Sequence, residues 1–324
     1  MTATATRPNP TSSAQQSSGY ANPEVLVDAD WVEAHKGDRN VRLIEVDVDT
    51  TAYEQGHVPG AIAFNWQTQL NDTVRRDIPS KEQWEKLLGE AGVANDHTVI
   101  LYGDNNNWFA AFAFWLFKVY GHSDVRLLNG GRKKWEADGR PFTTGVASYS
   151  PTQYRASEPD QNLRAYRDEI LTGLRDGGFA LVDVRSPAEF SGEVISPPGM
   201  TETAQRGGHI PSAANIPWAQ AVAEDGTFKS ADELRALYAG KGVSGDKPII
   251  AYCRIGERSS HSWFALKYLL GYDNCRNYDG SWTEWGSIIG APIERDAPSQ
   301  QTPGTSAGGA TAPSGAPRPA VCPP

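Results

Sequence analysis

The sequence predicts an α/β protein of two tandem domains, each a mostly parallel sheet flanked by helices. Two observations predict it. Residues 98–141 align without a gap on residues 248–291 at a constant offset of 150, so the chain carries an internal repeat at domain scale. Within each copy, short β-branched or Leu-rich runs alternate with longer aromatic and apolar segments. That is the pattern of buried parallel strands covered by helices on both faces.

The elements follow in order. The first 21 residues, Ser/Thr/Ala-rich, lack the basic start and apolar block of a secretory signal and read as a disordered tail. The first domain is expected over 22–143, with VRLIEVD, TVILYG and VRLLNG as strands and WFAAFAFWLFKVYG as a packed helix. The Pro/Ser/Thr-containing segment 144–159 reads as a linker, and the second domain is expected over 160–295. Tyr102 matches Tyr252, Gly121 matches Gly271, Gly130 matches Gly280 and Trp135 matches Trp285. Upstream, LIEVD (43–47) matches LVDVR (181–185), and His57-Val58-Pro59 matches His209-Ile210-Pro211. The offset there grows from 138 to 152, so the second copy carries 14 extra residues in the loop SGEVISPPGMTETAQR. Residues 296–324, dense in Pro, Gly, Ala and Ser, read as a second disordered tail.

With 39% hydrophobic and 21% charged residues in 324, the chain suits two globular domains. No stretch approaches the roughly 18 apolar residues of a membrane span, so no membrane is expected. The net charge of −9 argues against nucleic acid as a partner. A cytoplasmic location is expected. Three cysteines, Cys253, Cys275 and Cys322, are too few and too widely spaced for a disulfide framework or a zinc site, so no metal is expected.

Chemistry is expected where the copies differ. In an open parallel sheet, ligands bind at the carboxyl ends of the strands. The strand PIIAY ends there, and Cys253 follows it, leading into a Gly-containing loop and then a helix with Trp263, Phe264 and Leu266. Such a loop aims several backbone N–H groups at one point and forms an anion cradle. A cysteine at its base, beside arginines, is expected to be a stabilised thiolate. In the first copy Gly103 replaces Cys253, Asp104 replaces Arg254, Trp108 replaces Arg258 and Asp47 replaces Arg185. One catalytic domain and one degenerate partner are therefore expected.

These residues resemble the tandem rhodanese family, the thiosulfate and mercaptopyruvate sulfurtransferases. The resemblance rests on the duplicated Gly-His-x-Pro stretch, Asp183-Val184-Arg185-Ser186, the Cys253 loop and Tyr278-Asp279-Gly280-Ser281-Trp282. It covers nearly the whole chain between the tails, and the loop Cys-Arg-Ile-Gly-Glu-Arg-Ser-Ser-His is most similar to thiosulfate sulfurtransferases of the actinobacterial type. The resemblance implies a double displacement in which Cys253 takes the outer sulfur of thiosulfate as a persulfide, releases sulfite, and passes the sulfur to cyanide or a thiol acceptor, such as a thioredoxin-like protein. It implies substrate binding by Arg185, Arg254 and Arg258, a persulfide cradle formed by Ile255, Gly256, Glu257 and Ser259, and no cofactor. One departure is Ile255, where thiosulfate-specific relatives often carry a basic residue.

Other readings compete with this one. Cell-cycle phosphatases share the domain fold but use a Cys-x5-Arg loop, whereas Cys253 and Arg258 form Cys-x4-Arg. Mercaptopyruvate enzymes usually carry a small uncharged loop, and a rhodanese module without its cysteine is an interaction domain. Among single residues, Arg185 could instead form an ion pair with Asp183 or Glu189. His57, His209, Trp135 and Trp285 recur in both copies, as shared structural residues do. Core packing or solvent exposure, rather than acid–base work, is the expected role of His261, and Cys275 reads as a buried spare able to trap a disulfide with Cys253.

Overall fold

A computed structural model of the protein describes residues 18–199 and 203–296. Cys322 and most of both expected tails lie outside the described residues. In the first half the elements are β1 Leu26–Val27, α1 Ala29–His35, β2 Val41–Glu45, β3 Ala61–Ala63, α2 Lys81–Glu90, β4 Thr98–Tyr102, α3 Asp104–Val119, β5 Val125–Leu128 and α4 Gly131–Ala137. The sheet has the order β1-β5-β4-β2-β3, with every pair parallel. Each residue of β2 and β4 is buried, as continuous apolar runs in a doubly covered sheet require.

The second half repeats the plan with α5 Arg167–Gly173, β6 Ala180–Asp183, α6 Pro187–Ser191, β7 Ala214–Asn215, α7 Ala231–Ala239, β8 Ile249–Tyr252, α8 Glu257–Phe264, β9 Cys275–Tyr278 and α9 Ser281–Trp285. Its parallel sheet runs β7-β6-β8-β9. The counterpart of β1 shrinks to a single parallel bridge between Arg164 and Asn277.

Residues shared by the copies do the same structural work. The Val58 N–H donates to Tyr102 Oη at 3.0 Å, and the Ile210 N–H donates to Tyr252 Oη at 3.1 Å. His57 stacks on Tyr53 and His209 on Phe190. Trp135 and Trp285 each donate an indole N–H to a downstream proline carbonyl.

The halves join through α3 and α8. Phe114 meets Phe264 edge-on at 4.8 Å, and one apolar cluster runs through both halves. His261 is buried in this seam, stacked on Phe228 and edge-on to Trp218. The linker is tied to the first half, with the Thr152 N–H donating to Gly89 O and the Ser157 N–H donating to Tyr120 O. Residues 18–21, read from the sequence as tail, are docked instead. Tyr20 Oη donates to the carbonyls of Phe228 and Lys229, and the Ala21 N–H donates to Leu269 O. Tyr20 supplies an aromatic anchor that a polar composition conceals. Among the described residues, no helix is long and apolar enough to cross a membrane.

Candidate functional site

β8 delivers Cys253 to the carboxyl end of the second sheet, and the chain turns at once into α8. The turn depends on Gly256, whose φ of 93° lies in the left-handed region. A Cβ there would stand 2.4 Å from Asp279 Cα, so no side chain fits. Turned this way, the Gly256 N–H donates to Cys253 Sγ at 3.1 Å. Three groups within 3.0 Å fix the Gly256 carbonyl: Ser259 Oγ, Ser260 Oγ and Asn277 Nδ2. The Cys253 N–H donates to Ser281 Oγ at 3.0 Å, and its carbonyl accepts from the Trp282 N–H. The loop is thereby stitched to the start of α9.

The sulfur is buried and charged groups surround it. Sγ donates to Glu257 Oε2 at 3.4 Å. Burial, then the Glu257 carboxylate, pushes the Cys253 thiol up from its ordinary value, against the lowering effect of Arg258 and Ser259. The sequence predicts a stabilised thiolate, whereas the resting structure favours a protonated thiol hydrogen-bonded to Glu257. Desolvation and the carboxylate outweigh the cation and the amides.

Each of the three predicted arginines is buried beside a carboxylate. Arg258 makes two hydrogen bonds to Glu189, of 3.0 and 2.9 Å, and lies over the Trp108 ring of the first half. Arg254 stands 3.6 Å from Glu257. Arg185 binds Asp183 and the Gly208 carbonyl and covers the face of Trp282. The ion pair weighed for Arg185 is therefore present, with Asp183, while Glu189 serves Arg258. Arg258 and Glu257 reach the environment of the sulfur from α8, and Arg185 directs its hydrogen bonds to its own strand and the Gly208 loop. Among the described residues, Arg185 Nη1 and Arg258 Nε are buried donors without a hydrogen-bond partner.

Sequence reasoning missed Asn277 and Arg76, and it weighed Glu189 only as a partner of Arg185. Glu189 stands in Ser186-Pro-Ala-Glu189, a capping box that opens α6, and that motif marks the carboxylate as fixed. Asn277 looks like an ordinary strand residue. Arg76 comes from the first half, and its Nη2 donates to Ile255 O at 2.7 Å.

The equivalent place in the first half cannot hold a sulfur. A Cβ on Gly103 would stand 2.1 Å from Val46 O. Asn105, Asn106 and Asn107 are all left-handed, and Asn107 Oδ1 accepts from the Gly103 N–H at 3.0 Å. Burial, with Glu45 and Asp104 nearby, pushes the Asp47 carboxyl up to about 9.

The disulfide considered between Cys253 and Cys275 is excluded. Cys275 pairs with Ile249, four residues before Cys253 on β8. At about 3.3 Å per residue the two are roughly 13 Å apart along the sheet, beyond the reach of a disulfide. Burial pushes the Cys275 thiol up to about 12.

Comparison with known proteins agrees with this architecture. The rhodanese-like domain model matches residues 28–138 and again 167–288. A Haloferax volcanii protein named "Putative thiosulfate sulfurtransferase" is 58% identical over 283 residues, covering 86% of this chain and 98% of that protein. The sulfur carrier protein TtuD of Thermus thermophilus is 57% identical over 281 residues, covering 86% of this chain and 99% of that protein. The crystal structure of SseA from Escherichia coli, described in terms of the rhodanese fold and the mechanism of 3-mercaptopyruvate sulfotransferases, superposes with a TM-score of 0.71. It is 29% identical, and the match covers 80% of this chain and 98% of SseA. With the domain matched twice and relatives this similar over their whole length, the chain belongs to the rhodanese family in its two-domain form and is a sulfurtransferase.

Proposed function

We propose that the protein transfers the sulfane sulfur of thiosulfate to cyanide or a thiol acceptor through a persulfide on Cys253. The observation that carries this reading is the Gly256 N–H aimed at Cys253 Sγ from 3.1 Å, in a loop that only the second copy retains. In the proposed step the Cys253 thiolate attacks the outer sulfur, a new S–S bond forms, and sulfite leaves with the electron pair of the broken one. The thiol proton has an acceptor in Glu257, 3.4 Å away. The buried donors Arg258 Nε and Arg185 Nη1 support recognition of an anion, because an unmatched buried N–H gains a charge-assisted hydrogen bond when one arrives. The segment from Arg254 to Ser259 is the proposed persulfide cradle. The similarity to a protein named as a sulfur carrier supports a protein thiol among the acceptors.

A second donor, 3-mercaptopyruvate, is favoured by one observation. All three arginines already face carboxylates, so less uncompensated positive charge awaits a dianion than a cluster of free arginines would offer. Incubation with thiosulfate should add the mass of one sulfur atom at Cys253, and cyanide should remove it. Cys253→Ala should abolish thiocyanate production while the fold persists. An unmodified protein, or a clear preference for 3-mercaptopyruvate in parallel assays, would overturn the mechanism or the donor respectively.

A further inference from the structure

We propose that Arg76, contributed by the first half, is a positioning residue for sulfur transfer: it holds the Ile255–Gly256 peptide in the orientation that aims the Gly256 N–H at Cys253 Sγ. This rests on the persulfide reading above and deepens it.

A trans peptide is a rigid plane whose C=O and N–H point in opposite directions. Arg76 Nη2 lies 2.7 Å from the oxygen of this peptide, and Cys253 Sγ lies 3.1 Å from its nitrogen. A guanidinium, a peptide dipole and the sulfur therefore stand in series. The cation polarises the carbonyl, and the polarised peptide donates more strongly through its N–H to a sulfur bearing negative charge. The cation also opposes the motion that would spoil the site. Rotation of one peptide plane is easy beside a glycine, and a rotated Ile255 carbonyl would present its oxygen to the sulfur and repel a thiolate or persulfide anion.

The Arg76 backbone is held for this task. Its φ of 53° is left-handed, a conformation that strains any residue with a Cβ. A local turn fixes it, with the Asp72 N–H donating to Asp77 O and the Arg76 N–H donating to Asp72 O. The next residue, Asp77, binds Arg164 at 2.6 Å, and Arg164 grips Asp279 through bonds of 2.9 and 3.1 Å. Asp279 is the wall against which Gly256 packs. The segment 76–77 of the first half thus braces the sulfur loop twice, once through Ile255 and once through Asp279. The half that lost its thiol supplies a brace for the half that kept it.

The test compares wild type with Arg76→Ala, Arg76→Gly and Arg76→Lys. Glycine removes the side chain and relieves the backbone strain together, so a loss shared with alanine is not a folding artefact. The pH profile of Cys253 alkylation by iodoacetamide, read on the Cys253 peptide by mass spectrometry, needs no sulfur donor. Alanine and glycine should move its inflection upward and slow alkylation near neutrality about tenfold, the scale of one charged hydrogen bond. With thiosulfate, kcat should fall by a similar factor while KM stays within roughly twofold, the far-ultraviolet circular dichroism should remain native, and lysine should restore most of both losses. An inflection unmoved in both alanine and glycine variants overturns the proposal, whatever happens to turnover. Failure of wild type to gain sulfur would instead strike the persulfide reading, leaving the alkylation comparison to decide the role of Arg76.

Discussion

Arg258 and Glu189 face each other through two buried hydrogen bonds that tie α8 to α6. Burial alone would lift the Glu189 carboxyl, but the hydrogen bonds and charge of Arg258 outweigh it and hold the group below its ordinary value. The pair is structural, whatever part the arginine takes in the proposed reaction. Arg258→Ala leaves a buried carboxylate without its cation, a loss of about 3–5 kcal/mol, and should lower the melting temperature by about 10 °C. The double variant Arg258→Met with Glu189→Leu should recover most of that stability without recovering turnover. Calorimetry beside a thiocyanate assay separates the two contributions, and recovery of both by the apolar pair would show that the arginine has no part in the reaction.

His261 predicts an acid limb in stability. Buried between Phe228 and Trp218, its ring is pushed down from 6.5 to about 3 by desolvation. The unfolded chain takes up a proton below the ordinary value and the folded chain does not. The stability contribution is therefore complete above about pH 6.5 and is lost as pH falls toward 3, at up to about 1.4 kcal/mol for each step of one in pH. His261→Phe should flatten this limb relative to wild type in denaturant titrations between pH 4 and 7, and parallel curves would contradict the assignment.

Glu257→Gln tests the state of the thiol. The carboxylate raises the Cys253 value, so its neutral analogue should move the alkylation inflection to lower pH. Alkylation near neutrality should then speed up on the order of tenfold, because the thiolate fraction there grows as the inflection falls. If the glutamine variant alkylates no faster than wild type, burial alone accounts for the raised value.

Gly256→Ala should cost more than the usual glycine substitution. A left-handed alanine costs about 1–2 kcal/mol, and its methyl would also meet the Asp279 backbone at 2.4 Å. The loop must shift, and the N–H facing the sulfur shifts with it. Thiocyanate formation should fall by at least about a hundredfold, at about 1.4 kcal/mol of barrier for each factor of ten, while the far-ultraviolet circular dichroism remains native. Retained turnover would mean that this amide is not needed.

Much of the fold is legible in the sequence because the repeat is nearly gapless and strand and helix periods alternate within it. The paired tyrosines, histidines and tryptophans can be read as structural for the same reason. The site is legible only along the chain. Cys253 and its loop announce themselves, and Asp183 can be read as a partner of Arg185 two residues away. The pairing of Glu189 with Arg258 and the contact of Arg76 with Ile255 cannot, because those residues lie far from the loop in sequence. The thiolate expectation fails on burial, since the loop motif records which cations are near and says nothing of how much water is lost. Tyr20 is hidden among polar residues, and its docking depends on carbonyls more than 200 residues away.

The distance between Cys253 and Cys275, set by their register on β8 and β9, bears on how a sulfur bound at Cys253 would be released. Among the described residues no second thiol can reach Cys253 to resolve it. On the proposed persulfide reading, a sulfur loaded there meets no resolving thiol among the described residues, so its release falls to a nucleophile from beyond them. Repair of an oxidised Cys253 likewise depends on a reductant that the described residues do not supply, which ties the working lifetime of this sulfur to the thiols around it.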